Sequence, residues 1–221
     1  MKLLKIAGLT AVMVLSLSAH GQGQGMGGRR GPHAPQMFGA FTPVVGTGAQ
    51  YQATANGRPV EFAYVIVGKE DVEGSTGYWM EIRTSGAELP GEMVMKQLMV
   101  KSGDKPQIKR MIMQSPGRPP MEMPTAMMNM QRGGGAQATD TDPGVKVGSE
   151  TITVPAGTFD CEHFRKQTQG GPVDFWVSAK VSPYGTVKMT TGDTTMVLEK
   201  ILSNETSHIK GEPQKFEMPK F

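Results

Sequence analysis

From about Phe41 onwards the chain consists of short apolar runs separated by turn residues, and this pattern constrains the fold most strongly. The 29 glycines and 16 prolines among 221 residues leave little room for long helices. Alternation within the runs is typical of strands, and it places Tyr78, Met80 and Ile82 on one strand face. We therefore predict an all-β to β-rich α+β domain at residues 41–203, built as an antiparallel meander.

Nine or ten strands are expected in this domain. The runs that predict them are 60–67, 77–83, 92–100, 107–114, 145–154, 158–167, 172–179, 184–190 and 194–203. Residues 119–144 interrupt the pattern with a Met-rich insertion and a Gly-rich loop, which we expect to be mobile. Within this insertion, Thr125 is expected to cap a short helix that ends at Met130.

The first residues have the pattern of a secretory signal peptide, because Lys2 and Lys5 precede an apolar run at 6–17 and small residues follow. We predict that residues 1–21 are removed by cleavage after Gly21. A run of about 12 apolar residues is too short to span a bilayer, so no transmembrane segment is expected. The mature protein is then expected to be exported, periplasmic or secreted, and soluble. It is not expected to be lipid-anchored, because no cysteine lies near the cleavage position.

Both ends of the mature chain are predicted to be poorly ordered. Residues 22–40 are rich in glycine and proline and low in apolar side chains, which predicts a disordered lead-in. Residues 204–221 are polar and contain two prolines, so this tail is expected to fray.

Several classes of function are not indicated. A net charge of +3 on 43 charged side chains argues against nucleic-acid binding. The single cysteine excludes an intramolecular disulfide and a Cys-based zinc cluster. Cys161 and His163 share a strand face, but no third residue is evident that would orient them as a nucleophile and base. We therefore predict a protein that is not an enzyme and has no cofactor.

One block of sequence has a family resemblance. Residues 148–161 read GSETITVPAGTFDC, and VDFWVS at 173–178 and VSPYGTV at 181–187 follow. The block, roughly 145–203, resembles uncharacterised exported bacterial families with a half-barrel fold similar to the periplasmic lipoprotein carriers and receptors. The resemblance implies one strongly bent antiparallel sheet, open on one side, which cradles an apolar ligand or a plugging helix. No functional residue of the carriers has a counterpart that can be placed here.

Methionine is enriched, with ten residues between 93 and 130. Unbranched, polarizable methionine side chains form adaptable apolar surfaces. We therefore predict that the concave face binds an apolar or lipid-like ligand. The side chains expected to line it are Tyr78, Met80, Ile82, Met93, Met95, Met99, Met111 and Met113.

Two alternatives remain open. Thioethers are soft ligands that suit Cu(I), so an exported protein of this composition is also a candidate for binding Cu(I) or Ag(I). The candidate ligands are Met121, Met123, Met127, Met128 and Met130. The other alternative is a structural module that binds a protein partner in the cell envelope.

Overall fold

A computed structural model describes most of the predicted domain and its flanks. The described residues are 34–35, 37–55, 58–86, 89–102, 105–124, 144–168, 170–192 and 194–216. The predicted signal peptide and the predicted helix at 125–130 lie outside these residues. No helix of the described residues is long and apolar enough to cross a membrane.

Twelve strands form a single sheet within the described residues. They are β1 (Thr47–Ala55), β2 (Arg58–Val72), β3 (Ser75–Gly86), β4 (Met93–Ser102), β5 (Lys105–Gln114), β6 (Met121–Glu122), β7 (Val145–Val154), β8 (Gly157–Thr168), β9 (Gly171–Val177), β10 (Thr186–Thr191), β11 (Thr194–Ser203) and β12 (Gln214–Lys215). The order across the sheet is β12-β6-β5-β4-β3-β2-β1-β11-β10-β9-β8-β7. The predicted all-β fold class is confirmed.

The sheet consists of two antiparallel meanders, β1 to β6 and β7 to β11, which join where β1 pairs with β11. The short strand β12 is parallel to β6. The sequence pattern did not indicate β1, because its residues, TGAQYQATA, include a single large apolar side chain. Its place between β2 and β11 gives it partners on both sides.

Side-chain and backbone contacts show that the sheet is strongly curved. The Tyr51 hydroxyl of β1 donates a hydrogen bond to the carbonyl of Thr186 in β10, two strands away, at 2.9 Å. The backbone N–H of Ala156, in the turn after β7, reaches the carbonyl of Leu198 in β11 at 3.3 Å. Register shifts interrupt five strand pairs, and such bulges increase bending and twist. The result is an open half-barrel with β7 and β12 at its edges.

The main core lies on the inner face of the sheet, which we define by Tyr51, Tyr64, Met80, Phe175 and Leu198. These side chains are all at most 3% exposed. The three tyrosines Tyr51, Tyr64 and Tyr184 meet edge to face, with ring centroids 5.9 and 6.2 Å apart. Such contacts add to the stabilisation that apolar burial provides.

Residues 34–41, which we call the N-terminal segment, pack against the inner face. Met37 and Phe38 are each 5% exposed, and Phe38 stacks on Phe175 at a centroid distance of 5.2 Å. The Tyr64 hydroxyl donates to the carbonyl of Pro35 at 2.5 Å. Residues 37 and 38 belong to the predicted lead-in at 22–40, most of which lies outside the described residues. The composition of residues 22–40 does not predict the contacts of Met37 and Phe38. Two large side chains bury enough apolar surface to offset the conformational entropy that a short segment loses when it packs.

Residues 204–216, which we call the C-terminal segment, lie along the outer face. They belong to the predicted tail at 204–221, of which residues 217–221 lie outside the described residues. Glu205 pairs with Arg83 at 2.7 Å, and the backbone N–H of His208 donates to the carboxylate of Glu81 at 3.0 Å. Ile209 packs against a small outer cluster centred on Trp79. The polar composition of the segment predicts fraying. Its partners are buried charges on β3, and the sequence alone does not show that these residues lie close together.

Candidate functional site

The predicted ligand-binding side chains lie together on the inner face of β3, β4 and β5. Ladder pairing sets Tyr78 opposite Met99, Met80 opposite Gln97 and Ile82 opposite Met95. Residues directly opposite in an antiparallel pair project to the same side of the sheet. The same register places the other three predicted side chains, Met93, Met111 and Met113, on this face through the pairs Thr84 with Met93, Gln97 with Met111 and Met95 with Met113.

The short strand β6 extends this surface by two methionines. Met121 lies opposite Met113 in the β5–β6 ladder. The backbone N–H of Met123 donates to the carbonyl of Met111 at 2.9 Å, which continues the same register by one pair. Two of the predicted metal ligands thus adjoin the predicted apolar site, whereas Met127, Met128 and Met130 lie outside the described residues.

We name eight inner-face positions of β4, β5, β6 and the residue that follows β6 the methionine face. Its members are Met93, Met95, Gln97, Met99, Met111, Met113, Met121 and Met123. These positions carry seven thioethers, one amide and no charge. A surface of soft, flexible side chains adapts to irregular apolar partners.

Burial divides the predicted site into a core part and an accessible part. Met80 and Met99 are at most 2% exposed and belong to the main core. The Tyr184 hydroxyl also contacts the Met80 sulfur at 3.6 Å, so this methionine already has a partner. In contrast, Met95 and Met113 are half-buried, and Met121 is 37% exposed. The solvent exposure of the predicted side chains therefore increases from β3 toward β6.

Gln97 belongs to this site, but the sequence prediction omitted it. Its side chain is 7% exposed, and its amide Nε2 donates to the sulfur of Met95 at 3.4 Å. This contact orients the Met95 thioether within the face. The signal was present in the sequence, since Gln97 lies two residues from both Met95 and Met99 in a predicted strand.

Three charged residues of these strands, Lys96, Arg110 and Glu122, lie on the opposite, outer face. Lys96 and Arg110 sit over the ring of Trp79 at 5.1 and 5.2 Å. Arg110 also pairs with Glu122 at 2.7 Å, and its hydrogen bond lowers the pKa of the Glu122 carboxyl. These side chains are engaged in outer-face contacts, so the methionine face keeps a low-charge environment.

A concavity lies where the N-terminal segment passes β8 and β9. It has a volume of about 430 Å³, and Gly39, Asp160, Cys161, Glu162 and Tyr184 are among its lining residues. Gly39 has φ of +113°, and a Cβ there would approach the Tyr184 carbonyl oxygen to 2.8 Å. Only glycine therefore lets the segment pass this closely.

The cysteine in this concavity is not an activated nucleophile. Burial, with smaller contributions from Asp160 and Glu150, raises the pKa of the Cys161 thiol to about 11. The Sγ atom donates to the carbonyl of Phe159 at 3.6 Å. A raised pKa leaves little thiolate at neutral pH.

The partner that the sequence pattern suggested for this thiol is engaged elsewhere. The Nε2 atom of His163 contacts Asp174 at 2.7 Å, and its Nδ1 atom lies 3.3 Å from Glu150. The ring stacks on Trp176 at 4.4 Å. Within the described residues, no group of three or more His, Cys, Asp or Glu side chains is arranged to hold a metal ion.

Comparisons with known proteins add little to this description. No family model matches the chain, and no curated protein matches it. A structure from Bacteroides fragilis NCTC 9343, described as a "putative exported protein with YmcC-like fold", is 16% identical with a TM-score of 0.34. A "putative lipoprotein" from Parabacteroides distasonis ATCC 8503 is 14% identical with a TM-score of 0.37. Each covers 74% of this chain and 99% of its own, and at these TM-scores neither carries an argument about function.

Proposed function

We propose that this protein is an exported, non-enzymatic binding protein whose methionine face holds an apolar, lipid-like ligand. The observation that supports the proposal is the cross-strand register of β3 to β6, which assembles an uncharged, partly accessible face from Met95, Met113 and Met121. Export rests on the signal-peptide pattern at residues 1–21.

The division of the inner face supports this location for the ligand. The N-terminal segment covers the region around Tyr64 and Phe175 and fills it with Phe38. Tyr78 forms the border, since its ring meets Phe41 of this segment edge to face at 6.4 Å. A ligand on the methionine face therefore contacts half-buried side chains and does not displace the segment.

The chemistry favours a flexible apolar chain over a rigid or charged molecule. Each Å² of apolar surface removed from water contributes about 25 cal/mol, so a few hundred Å² suffices for micromolar affinity after association costs. Methionine side chains adjust their rotamers to an irregular chain at little strain. A charged headgroup is expected to remain in solvent near the exposed Met121 side chain of β6.

A titration with the apolar fluorescent probe N-phenyl-1-naphthylamine tests the proposal. We expect saturable binding at about micromolar concentration. Changing Met95→Glu and Met113→Glu together should weaken it about tenfold or more, because two carboxylates on this face must be desolvated or protonated. The matched control is Val145→Glu with Val147→Glu, which adds the same charges at side chains 72% and 52% exposed on β7.

Circular dichroism must show that both variants remain folded. If the folded wild type shows no saturable binding, or if both double variants bind equally well, the ligand-binding proposal is wrong. The role as a structural module for an envelope partner would then take its place. A native mass spectrum of protein purified from its host separates a co-purified lipid from a site that takes up only the added probe.

A further inference from the structure

Three methionines form one row across three neighbouring strands. Met95 of β4 lies opposite Met113 of β5, and Met113 lies opposite Met121 of β6. Adjacent strands are about 4.8 Å apart, and side chains of paired residues project to the same side. The three thioethers therefore start from neighbouring points on one face, and their unbranched side chains are long enough to turn their sulfurs toward the central one.

The row is exposed to solvent at Met121, and a hydrogen bond fixes the side chain at its other end, Met95. Met121 is 37% exposed, whereas Met95 and Met113 are half-buried. The amide of Gln97 donates to the Met95 sulfur at 3.4 Å, which holds that thioether in a defined orientation and leaves its second lone pair available. An ion can thus approach at the exposed Met121 side chain and reach a partly preorganised donor set.

The donor chemistry selects a particular class of ion. Thioethers are soft, uncharged ligands that suit Cu(I) and bind hard cations poorly. Inner-face positions of β4 to β6 provide no carboxylate, imidazole or thiolate, which Zn²⁺, Ca²⁺ or Mg²⁺ would need. A soft monovalent ion is therefore the class that this row can hold.

We infer that Met95, Met113 and Met121 bind a single Cu(I) or Ag(I) ion through their three sulfur atoms. The site differs from the sequence hypothesis for residues 121–130, because two of its three ligands come from the β4–β5 hairpin. It also goes beyond the proposed apolar-ligand function, since it depends on sulfur and not on apolar surface. Substitution by leucine distinguishes the metal site from the apolar-ligand site, because leucine preserves the apolar volume of methionine and removes the sulfur donor atom.

Competition with the chromophoric chelator bicinchoninate, without oxygen and with ascorbate present, tests the inference on the full exported protein. We expect uptake of a single Cu(I) per chain, competition by Ag(I), and no uptake of Zn²⁺. The variant Met95→Leu with Met113→Leu and Met121→Leu should lose at least about tenfold in Cu(I) affinity, or about 1.4 kcal/mol. X-ray absorption of the copper-loaded wild type should show a first shell of sulfur alone.

A matched control removes three thioethers from the main core. In the variant Met37→Leu with Met189→Leu and Met196→Leu, Cu(I) affinity should stay at the wild-type value, since these side chains are at most 6% exposed. If that variant does not fold, the single change Met196→Leu serves as the control. The single change Met113→Leu removes the central ligand and should also weaken binding.

Defined outcomes overturn the inference. Unchanged Cu(I) affinity in the folded Met95, Met113 and Met121 variant excludes the row as the site. Loss of Cu(I) uptake only when Met127, Met128 and Met130 are changed to Leu assigns the ion to those residues instead. The Leu variant of the row should still bind the apolar probe, so its Cu(I) and probe titrations test the two proposals separately.

Discussion

The carboxylate of Glu81 and the guanidinium of Arg83 form a buried ion pair on the outer face of β3, 3.2 Å apart, with side chains 0% and 6% exposed. Their separation by two residues places them on one strand face. Arg83 also donates to the Thr206 carbonyl at 2.7 Å, and the Ser207 hydroxyl donates to Glu81. This pair therefore holds the C-terminal segment against the sheet.

Removing one member of this pair should destabilise the protein strongly. In Glu81→Gln, the Arg83 charge remains buried and loses one of its two carboxylate partners, and removing one member of a buried pair typically costs about 3–5 kcal/mol. Urea unfolding measures the change. The matched control is Glu92→Gln, because Glu92 is exposed and its contact with His208 at 2.8 Å should contribute at most about 1 kcal/mol. Equal midpoints for the two variants would contradict a stabilising role for the buried pair.

The N-terminal segment should contribute to stability through Phe38. The change Phe38→Ala removes a ring that is 5% exposed and stacked on Phe175, so the free energy of unfolding should fall by about 3–5 kcal/mol. Val44→Ala, at a side chain 55% exposed, should change it by no more than about 0.5 kcal/mol. A neutral Phe38→Ala variant would mean that the segment does not pack in solution.

The Cys161 thiol should be unreactive at neutral pH. A pKa raised from 9.0 to about 11 gives about 100-fold less thiolate than an ordinary cysteine at the same pH. Alkylation by iodoacetamide should therefore be slow in the folded protein, accelerate up to about pH 11, and become fast at neutral pH in urea. If the alkylation rate of the folded protein reached half of its maximum near pH 8, the Cys161 thiol would not be buried as described.

Asp174 should make stability depend on acid pH. Partial burial alone would raise the pKa of this carboxyl, but hydrogen bonds from Arg165 and His163 outweigh it and lower the pKa. The unfolded chain then binds a proton first, so this contribution is present above about pH 4 and is lost as the pH falls through the folded value.

The variant Asp174→Asn tests this dependence by urea unfolding at several pH values. Its stability should be lower than that of the wild type at neutral pH, and the difference should shrink as the solution becomes acidic. Glu212→Gln changes an exposed carboxylate and should leave the pH profile unchanged. A constant difference between Asp174→Asn and wild type at every pH would disprove the linkage.

Processing of the N-terminus provides a separate test of export. We expect the intact mass of protein from its native host to match a chain that begins within two residues of Gln22, because the apolar run ends at Leu17 and small residues follow. A mass that retains residues 1–17 would overturn the export proposal.

Local patterns were sufficient for nine of the twelve described strands and for much of the candidate site. Alternation alone places Met93, Met95 and Met99 on one strand face, because the side-chain period of a strand is two residues. The β4–β5 hairpin could also be predicted, since a single turn connects its two strands. In the structure this hairpin brings Met113 opposite Met95. These features depend on residues that are close in the chain.

The rest depends on contacts between residues far apart in the chain, which no local pattern encodes. Only the tertiary structure pairs β1 with β11, seats Phe38 on Phe175 and joins Arg83 to Glu205. Each contact gains its energy by burying a surface or a charge that a distant element covers. Residues 37–41 and 204–216 therefore pack against the sheet, although their composition is typical of disordered segments. The sequence by itself determined which side chains share a strand face, and the curved sheet decided which of those faces became core, which became covered and which remained open.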